Sequence, residues 1–211
     1  MGSNGGMRYG GSSGGGAATA TARAAGVSGA VTAAGVAGMD RLTREERKAV
    51  DLYTESSSRV NGVLRGRFTE TSREPPTAED RSRIGLLDAA MAKGTLARDA
   101  TLYRGTSLPA FGLTDAPKVG QVISDKAFQS TSTNQAESES FGGRGPMNLT
   151  IAAGRGTRAI DASYVAGGGE GEILLDRGTR YQVTSVRTTH ESGGWSGPPV
   201  PTYHVGVKVV R

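Results

Sequence analysis

Residues 84–105 read IGLLDAAMAKGTLARDATLYRG, and the change of period inside this stretch decides the fold. Ile84, Leu87 and Met91 recur at three- and four-residue intervals, which is the spacing of one helix face, and Gly94 supplies a stop. After Asp99 the pattern shortens to a β-rich run, Thr101–Arg104, closed by Gly105. Upstream of the switch the chain reads as helix. Thr43-Arg44-Glu45-Glu46 is a capping box, followed by Ala49, Val50 and Tyr53 and then by Val60, Val63 and Leu64. Ser56-Ser57-Ser58 between those sets predicts a break, and Thr77, after Pro75-Pro76, predicts the cap of the next helix. Downstream, β-rich runs lie at Gln121–Ile123, Ala127–Thr131, Met147–Ile151, Arg158–Ile160, Glu172–Leu175, Tyr181–Val186 and Tyr203–Val210, separated by turn residues. Helices first and strands afterwards predict an α+β domain rather than a βαβ series.

The composition bounds the rest. The 211 residues are 36% hydrophobic and 21% charged. Of the 33 glycines, 12 fall in residues 1–38 together with 10 alanines, and the first acidic residue is Asp40. Residues 1–38 therefore read as a Gly/Ala-rich tail or linker, and residues 39–211 as the folding unit, which is large enough to bury a sizeable core. The head lacks a compact apolar h-region, so no signal peptide is expected. No run of eighteen apolar residues suggests a membrane span. With no cysteine and only His190 and His204, thiolate metal sites, a cysteine nucleophile and a histidine-rich metal centre drop out, and no metal is expected. The net charge is +5, but no dense Lys/Arg tract with interleaved aromatics appears, so nucleic acid is not the expected partner. No P-loop, Rossmann fingerprint, H-E-x-x-H or G-x-S-x-G is present. Neither histidine nor Trp195 is given a functional role.

Three elements in the β-rich half carry chemistry: Leu102-Tyr103-Arg104-Gly105, Phe128-Gln129-Ser130-Thr131-Ser132 and Glu170-Gly171-Glu172. Singly, each reads as ordinary strand or turn chemistry. Together they offer an arginine, a hydroxyl pair and a carboxylate pair to one cleft, because strand alternation puts Ser130 with Ser132, and Glu170 with Glu172, on common faces. That set suits a substrate with a diphosphate and a ribose. A guanidinium fork matches phosphate oxygens. A carboxylate can accept a ribose hydroxyl and stabilise positive charge developing at the anomeric carbon.

Arg104, Ser130-Thr131-Ser132 and Glu170-x-Glu172 resemble the Arg…Ser-Thr-Ser…Glu-x-Glu signature of arginine-specific mono-ADP-ribosyltransferases. Phe141-Gly142-Gly143-Arg144 is similar to the aromatic-x-x-Arg element of that family, and Tyr53, Thr54 and Asn61-x-x-Leu64-Arg65 resemble its leading helices. The likeness spans about residues 40–210, and the sequence is similar to the enzymatic components of iota-like and vegetative insecticidal binary toxins. It implies two packed, mainly antiparallel β-sheets flanking an NAD cleft, with NAD as substrate. It implies that Arg104, with Gly105 beside it, holds the NAD phosphates. Ser130 would orient the catalytic glutamate, with Thr131 and Ser132 supporting it. Glu172 would be the catalytic carboxylate, and Glu170 would set arginine as the acceptor. Phe141 would pack on nicotinamide, Arg144 would reach the pyrophosphate and Asn61 would contact NAD from the helices. Ala162–Gly169 would be the target-recognition loop, with Tyr164 as its exposed aromatic. One departure is Ser57, which stands where the family often has a second tyrosine.

The resemblance implies transfer of ADP-ribose to a protein arginine. An NAD glycohydrolase would share every core residue, and a catalytically silent interaction module is the third reading. Delivery into a host cell, from a bacterial toxin or a phage, fits this activity, and the sequence names no target.

Overall fold

The computed structural model describes residues 31–141, 147–167, 171–191 and 200–210. Three helices come first. In α1 (Arg44–Glu55) Thr43 accepts from the Glu46 amide and the Glu46 carboxylate accepts from the Thr43 amide, so both orphan donors are met. Glu46, Ala49, Val50 and Tyr53 form its buried face. Glu46 tolerates burial because Lys93 Nζ donates to both its oxygens at 2.6 and 2.7 Å. Ser56 and Ser57 interrupt the helix as expected, and α2 (Ser58–Leu64) follows. The helix α3 (Ala78–Met91) has a second capping box, Thr77 with Asp80, and buries Leu87, Ala90 and Met91.

The strands are β1 (Val36–Ala37), β2 (Thr95–Leu96), β3 (Ala100–Thr106), β4 (Val122–Ser124), β5 (Gln129–Ser132), β6 (Met147–Ala153), β7 (Ala159–Asp161), β8 (Glu172–Leu175), β9 (Arg180–Glu191) and β10 (Val200–Val210). Two further helices, α4 (Gln135–Phe141) and α5 (Ala162–Ala166), sit among them. All eight sequence-read strands appear, with no end shifted by more than five residues and Glu172–Leu175 matching at both ends.

The larger sheet has the order β4-β9-β10-β6-β3-β5-β8-β7. Its pairing is uneven. β3 pairs with β6 from Ala100 to Thr106, and β5 with β8 from Gln129 to Ser132, but β3 and β5 meet only at Tyr103 and Ser132. The strands thus form a five-stranded and a three-stranded half joined at one seam. This is the α+β, mainly antiparallel arrangement expected, and β10 with β6 is the parallel pairing among the described strands. In β6 Met147, Leu149, Ile151 and Ala153 are buried and alternate with more exposed residues, the pattern of a strand with one covered face. In β8 Ile173, Leu174 and Leu175 are all buried, so that strand is covered on both faces.

One boundary moves. Composition places Val36 and Ala37 in the tail, yet they pair with Leu96 and Thr95 as β1 and β2 and are buried. The described fold therefore begins before residue 39. Gly38, at φ +90°, lies so close to the Lys93 carbonyl that a Cβ would fall 2.1 Å from its oxygen. Only glycine fits that turn.

Asp80 ties α2 to α3. Its carboxylate caps the helix and pairs with Arg59, Nη2 to Oδ2 at 2.8 Å, and this pairing holds its pKa down to about 2. Because the folded value is depressed, the stabilisation is present above the unfolded value near 3.8 and is lost as pH falls from about 4 towards 2. Asp80→Asn should lower stability in urea at pH 7, and the difference from wild type should shrink steadily across that acidic window.

Candidate active site

A recess of about 210 Å³ opens at the seam between β3 and β5. Where these strands part, a side chain takes over from the ladder. Arg104, on β3, donates from Nη1 to the Ser130 carbonyl of β5 at 2.6 Å. Its Nε is buried and has no hydrogen-bond partner among the described residues. Burying a charged donor in that state is costly unless something else meets it.

Ser130 is half-buried and lines the recess, while Thr131 and Ser132 are buried. The Thr131 hydroxyl donates to the Ile173 carbonyl at 2.6 Å, stitching β5 to β8. The Ser132 hydroxyl donates to Glu137 of α4 at 3.0 Å and accepts from the Asn134 amide. Both residues therefore hold the strand that presents Ser130. Glu172 opens β8 on the far side of the recess, half-buried, and its amide donates to Ser163 Oγ of α5 at 2.7 Å. That bond fixes the strand entrance at Glu172.

The helical wall comes from α1 and α2. Asn61 is buried; its Nδ2 donates to the Tyr53 hydroxyl at 2.9 Å, which donates in turn to the Phe128 carbonyl at 3.1 Å. Asn61 Oδ1 is a second buried atom without a partner among the described residues. Burial raises the Tyr53 pKa, offset by Asn61, by the charge of Arg104 and by the Ser130 hydroxyl, and reinforced by the charge of Glu172. One phenol thus feels four of the residues around the recess.

The structure brings Arg104, Gly105, Ser130, Thr131, Ser132, Glu172 and Asn61 to one recess. Tyr164 lies elsewhere, on α5, 54% exposed, with the Arg47 guanidinium carbon 6.0 Å from its ring centre. The expected loop at Ala162–Gly169 begins as that short helix, capped by Asp161, whose carboxylate accepts from the Tyr164 amide. Glu170 and Arg144 lie outside the described residues, as does the side chain of Phe141, whose backbone ends α4. Gly171 has φ +63° and precedes the strand, so regular alternation begins at Glu172. A left-handed residue breaks the pleat on which alternation depends. Sequence reasoning also missed Tyr53, Ser57, Tyr103 and Ser138 as lining residues and Ser163 as the anchor of Glu172. Tyr53 was legible as a buried helix position, and its hydroxyl, which needs a partner when buried, was the unused signal.

Among the described residues no three His, Asp or Glu side chains group to hold a metal ion, and no helix is long and apolar enough to cross a membrane. A family model described as ADP-ribosyltransferase exoenzyme matches residues 34–195. The epidermal cell differentiation inhibitor of Staphylococcus aureus is 26% identical over 179 residues, covering 72% of this chain and 71% of that protein. Plx2a, an ADP-ribosyltransferase toxin from Paenibacillus larvae, superposes with a TM-score of 0.62 at 23% identity, covering 82% of this chain and 89% of that one. BECa, an ADP-ribosylating toxin of a binary enterotoxin of C. perfringens solved with NADH, gives 0.63 at 20% identity, covering 82% of this chain and 45% of that one. At such identities the structural likeness speaks for the fold.

The approach to β5 is tied to the end of α2 by an ion pair. Asp125 is fully buried and accepts from Arg65 Nε at 2.9 Å, Arg65 Nη2 at 2.5 Å and the Ala127 amide at 3.0 Å. Arg65→Ala leaves that carboxylate buried without its cation. It should cost about 3–5 kcal/mol in urea denaturation at pH 7.

Proposed function

We propose that this chain, which belongs to the ADP-ribosyltransferase exoenzyme family, transfers the ADP-ribose of NAD to an arginine side chain of a target protein. The observation that carries the reading is the convergence of Arg104, Ser130 and Glu172, from three different strands, on one recess. Arg104 Nε and Asn61 Oδ1 stand buried beside it without protein partners among the described residues. A ligand with both acceptors and donors would meet them, and a ribose diphosphate has both.

The recess is smaller than the ~300–1,000 Å³ that drug-sized ligands occupy. It suits the nicotinamide ribose half of NAD, with the adenosine half outside it. In this reading Arg104 binds a phosphate and fixes the ribose end, and Asn61 and Gly105 line its approach. Ser130 hydrogen-bonds to Glu172, while Thr131 and Ser132 hold the strand. Glu172 accepts from the ribose 2′-hydroxyl. The bond from the anomeric carbon to nicotinamide breaks, its electron pair leaves with nicotinamide, and the Glu172 charge stabilises the cationic ribose. A guanidinium nitrogen of the target then bonds to the anomeric carbon and gives its proton to the Glu170 carboxylate. Phe141 and Arg144 are assigned to nicotinamide and pyrophosphate, and the exposed Tyr164 of α5 to the target. The arginine acceptor rests on Glu170 alone. Residues 39–211, with the β1 segment before them, make the catalytic domain. The toxins among the structural relatives support delivery into another cell as the setting.

Labelled NAD with a guanidino acceptor tests the chemistry. Glu172→Gln should reduce both nicotinamide release and transfer by about 10²-fold or more, the scale of losing one electrostatic stabiliser. Undiminished nicotinamide release from Glu172→Gln would remove the assignment. Glu170→Gln should lose arginine labelling while retaining nicotinamide release. If wild type and Glu170→Gln release nicotinamide at one rate whatever the acceptor, and neither labels the guanidino acceptor, water is the acceptor and the protein is a glycohydrolase.

A further inference from the structure

Glu172 is held by more than its place in the sheet. It follows Gly171, whose φ is +63°, so the residue with the freest backbone stands directly before it. The peptide group between the two is planar and trans, and its carbonyl and amide point opposite ways. The Gly171 carbonyl accepts from the Thr133 amide, just beyond the end of β5, at 3.2 Å. The Glu172 amide faces the other side, towards β7, and donates to Ser163 Oγ at 2.7 Å. One peptide plane is thus gripped at both ends.

The second grip replaces a rung of the ladder. β7 pairs with β8 through Ala159 with Leu175, Ile160 with Leu174 and Asp161 with Ile173. The next rung would set Ala162 against Glu172, but there the chain turns into α5. A strand that stops early leaves its neighbour's amide in need of another acceptor. Asp161 is buried and caps α5 by accepting from the Tyr164 amide at 2.9 Å. Ser163 therefore lies in the first turn of that helix, and its hydroxyl oxygen takes the place of the missing carbonyl. Ser163 is half-buried and stands outside the ring of described residues that line the recess, whereas Glu172 belongs to it. The route from this hydroxyl to chemistry in the recess passes through Glu172.

A carboxylate stabilises a developing cation only from the right place, and a displacement of about 1 Å can cost about 10²-fold in rate. Without Ser163 Oγ the Glu172 amide can turn towards water, and rotation of the peptide at Gly171 swings Glu172 with it. The Thr133 bond restrains only the other end.

We propose that Ser163 is a positioning residue for the reaction: its hydroxyl fixes the Gly171–Glu172 peptide and so aims the Glu172 carboxylate at the ribose. The inference rests on the reading of Glu172 as the charge that stabilises the ribose. Nicotinamide release from NAD by the full chain tests it without any target protein. Ser163→Ala should lower kcat about tenfold while leaving the KM for NAD and thermal unfolding nearly unchanged. Ser163→Thr keeps the oxygen and should restore most of the rate. Ser163→Cys, whose sulfur is a weak acceptor, should also lower kcat and serves if alanine disturbs folding. In a Glu172→Gln background Ser163→Ala should cost nothing further, because both changes then act on one group. Full kcat in Ser163→Ala, a loss confined to KM or to thermal unfolding, an equal loss in Ser163→Thr, or losses that multiply in the double variant would each overturn the proposal. Undiminished release from Glu172→Gln alone would overturn the reading of Glu172 and the proposal with it, a result told apart from the others because it involves no change at Ser163.

Discussion

The architecture depends on a seam that the backbone almost declines to make. Two sheet halves run side by side, yet β3 and β5 share the single pair Tyr103 and Ser132. Backbone groups facing the gap still need partners. The Arg104 guanidinium supplies one by taking the Ser130 carbonyl, and α4 packs across both strands. Because the strands part, polar side chains can face a hollow instead of a ladder. The same divergence that weakens the sheet makes room for a ligand.

Holding such a gap open requires polar groups in low dielectric, and nearly all of them are satisfied. Tyr53 reaches Phe128, Asn61 reaches Tyr53, and Tyr181 donates to Gln129 Oε1 at 2.9 Å. Asp125 joins Arg65, the Ala127 amide and, through its carbonyl, the Gly178 amide, so one buried residue connects α2, the start of β5 and the turn before β9. Removing any member strands its partner, which costs more than the bond itself contributes. Among the described residues three buried side-chain atoms are left over: Arg104 Nε and Asn61 Oδ1, whose residues border the recess, and Gln129 Nε2 on β5.

What the sequence shows plainly is local. Thr43 with Glu46 and Thr77 with Asp80 mark their helices because a cap is a contact between residues three apart. The β-rich runs mark their strands for a similar reason. The helix α4 escaped notice since QAESESF has no apolar stripe, although Asn134 caps it through the Ala136 amide. The strand β1 was hidden in a Gly/Ala-rich composition, and only pairing with distant Thr95–Leu96 makes it a strand. The site was legible as a set of residue types, Arg104, Ser130 and Glu172, but not as a geometry. Gly171 in a left-handed conformation is a fact of the turn, and strand alternation could not foresee it.

The sparse contact between β3 and β5 also gives any occupant of the recess a mechanical role. A molecule seated there touches Arg104 from one half and Glu172 from the other, adding cross-bracing that main-chain bonds omit. It acts as a keystone, and its binding free energy adds directly to the resistance of the whole domain to melting. Loaded and empty forms of this chain would then differ in rigidity at the joint between the halves, and the nucleotide would be part of the masonry until nicotinamide departs.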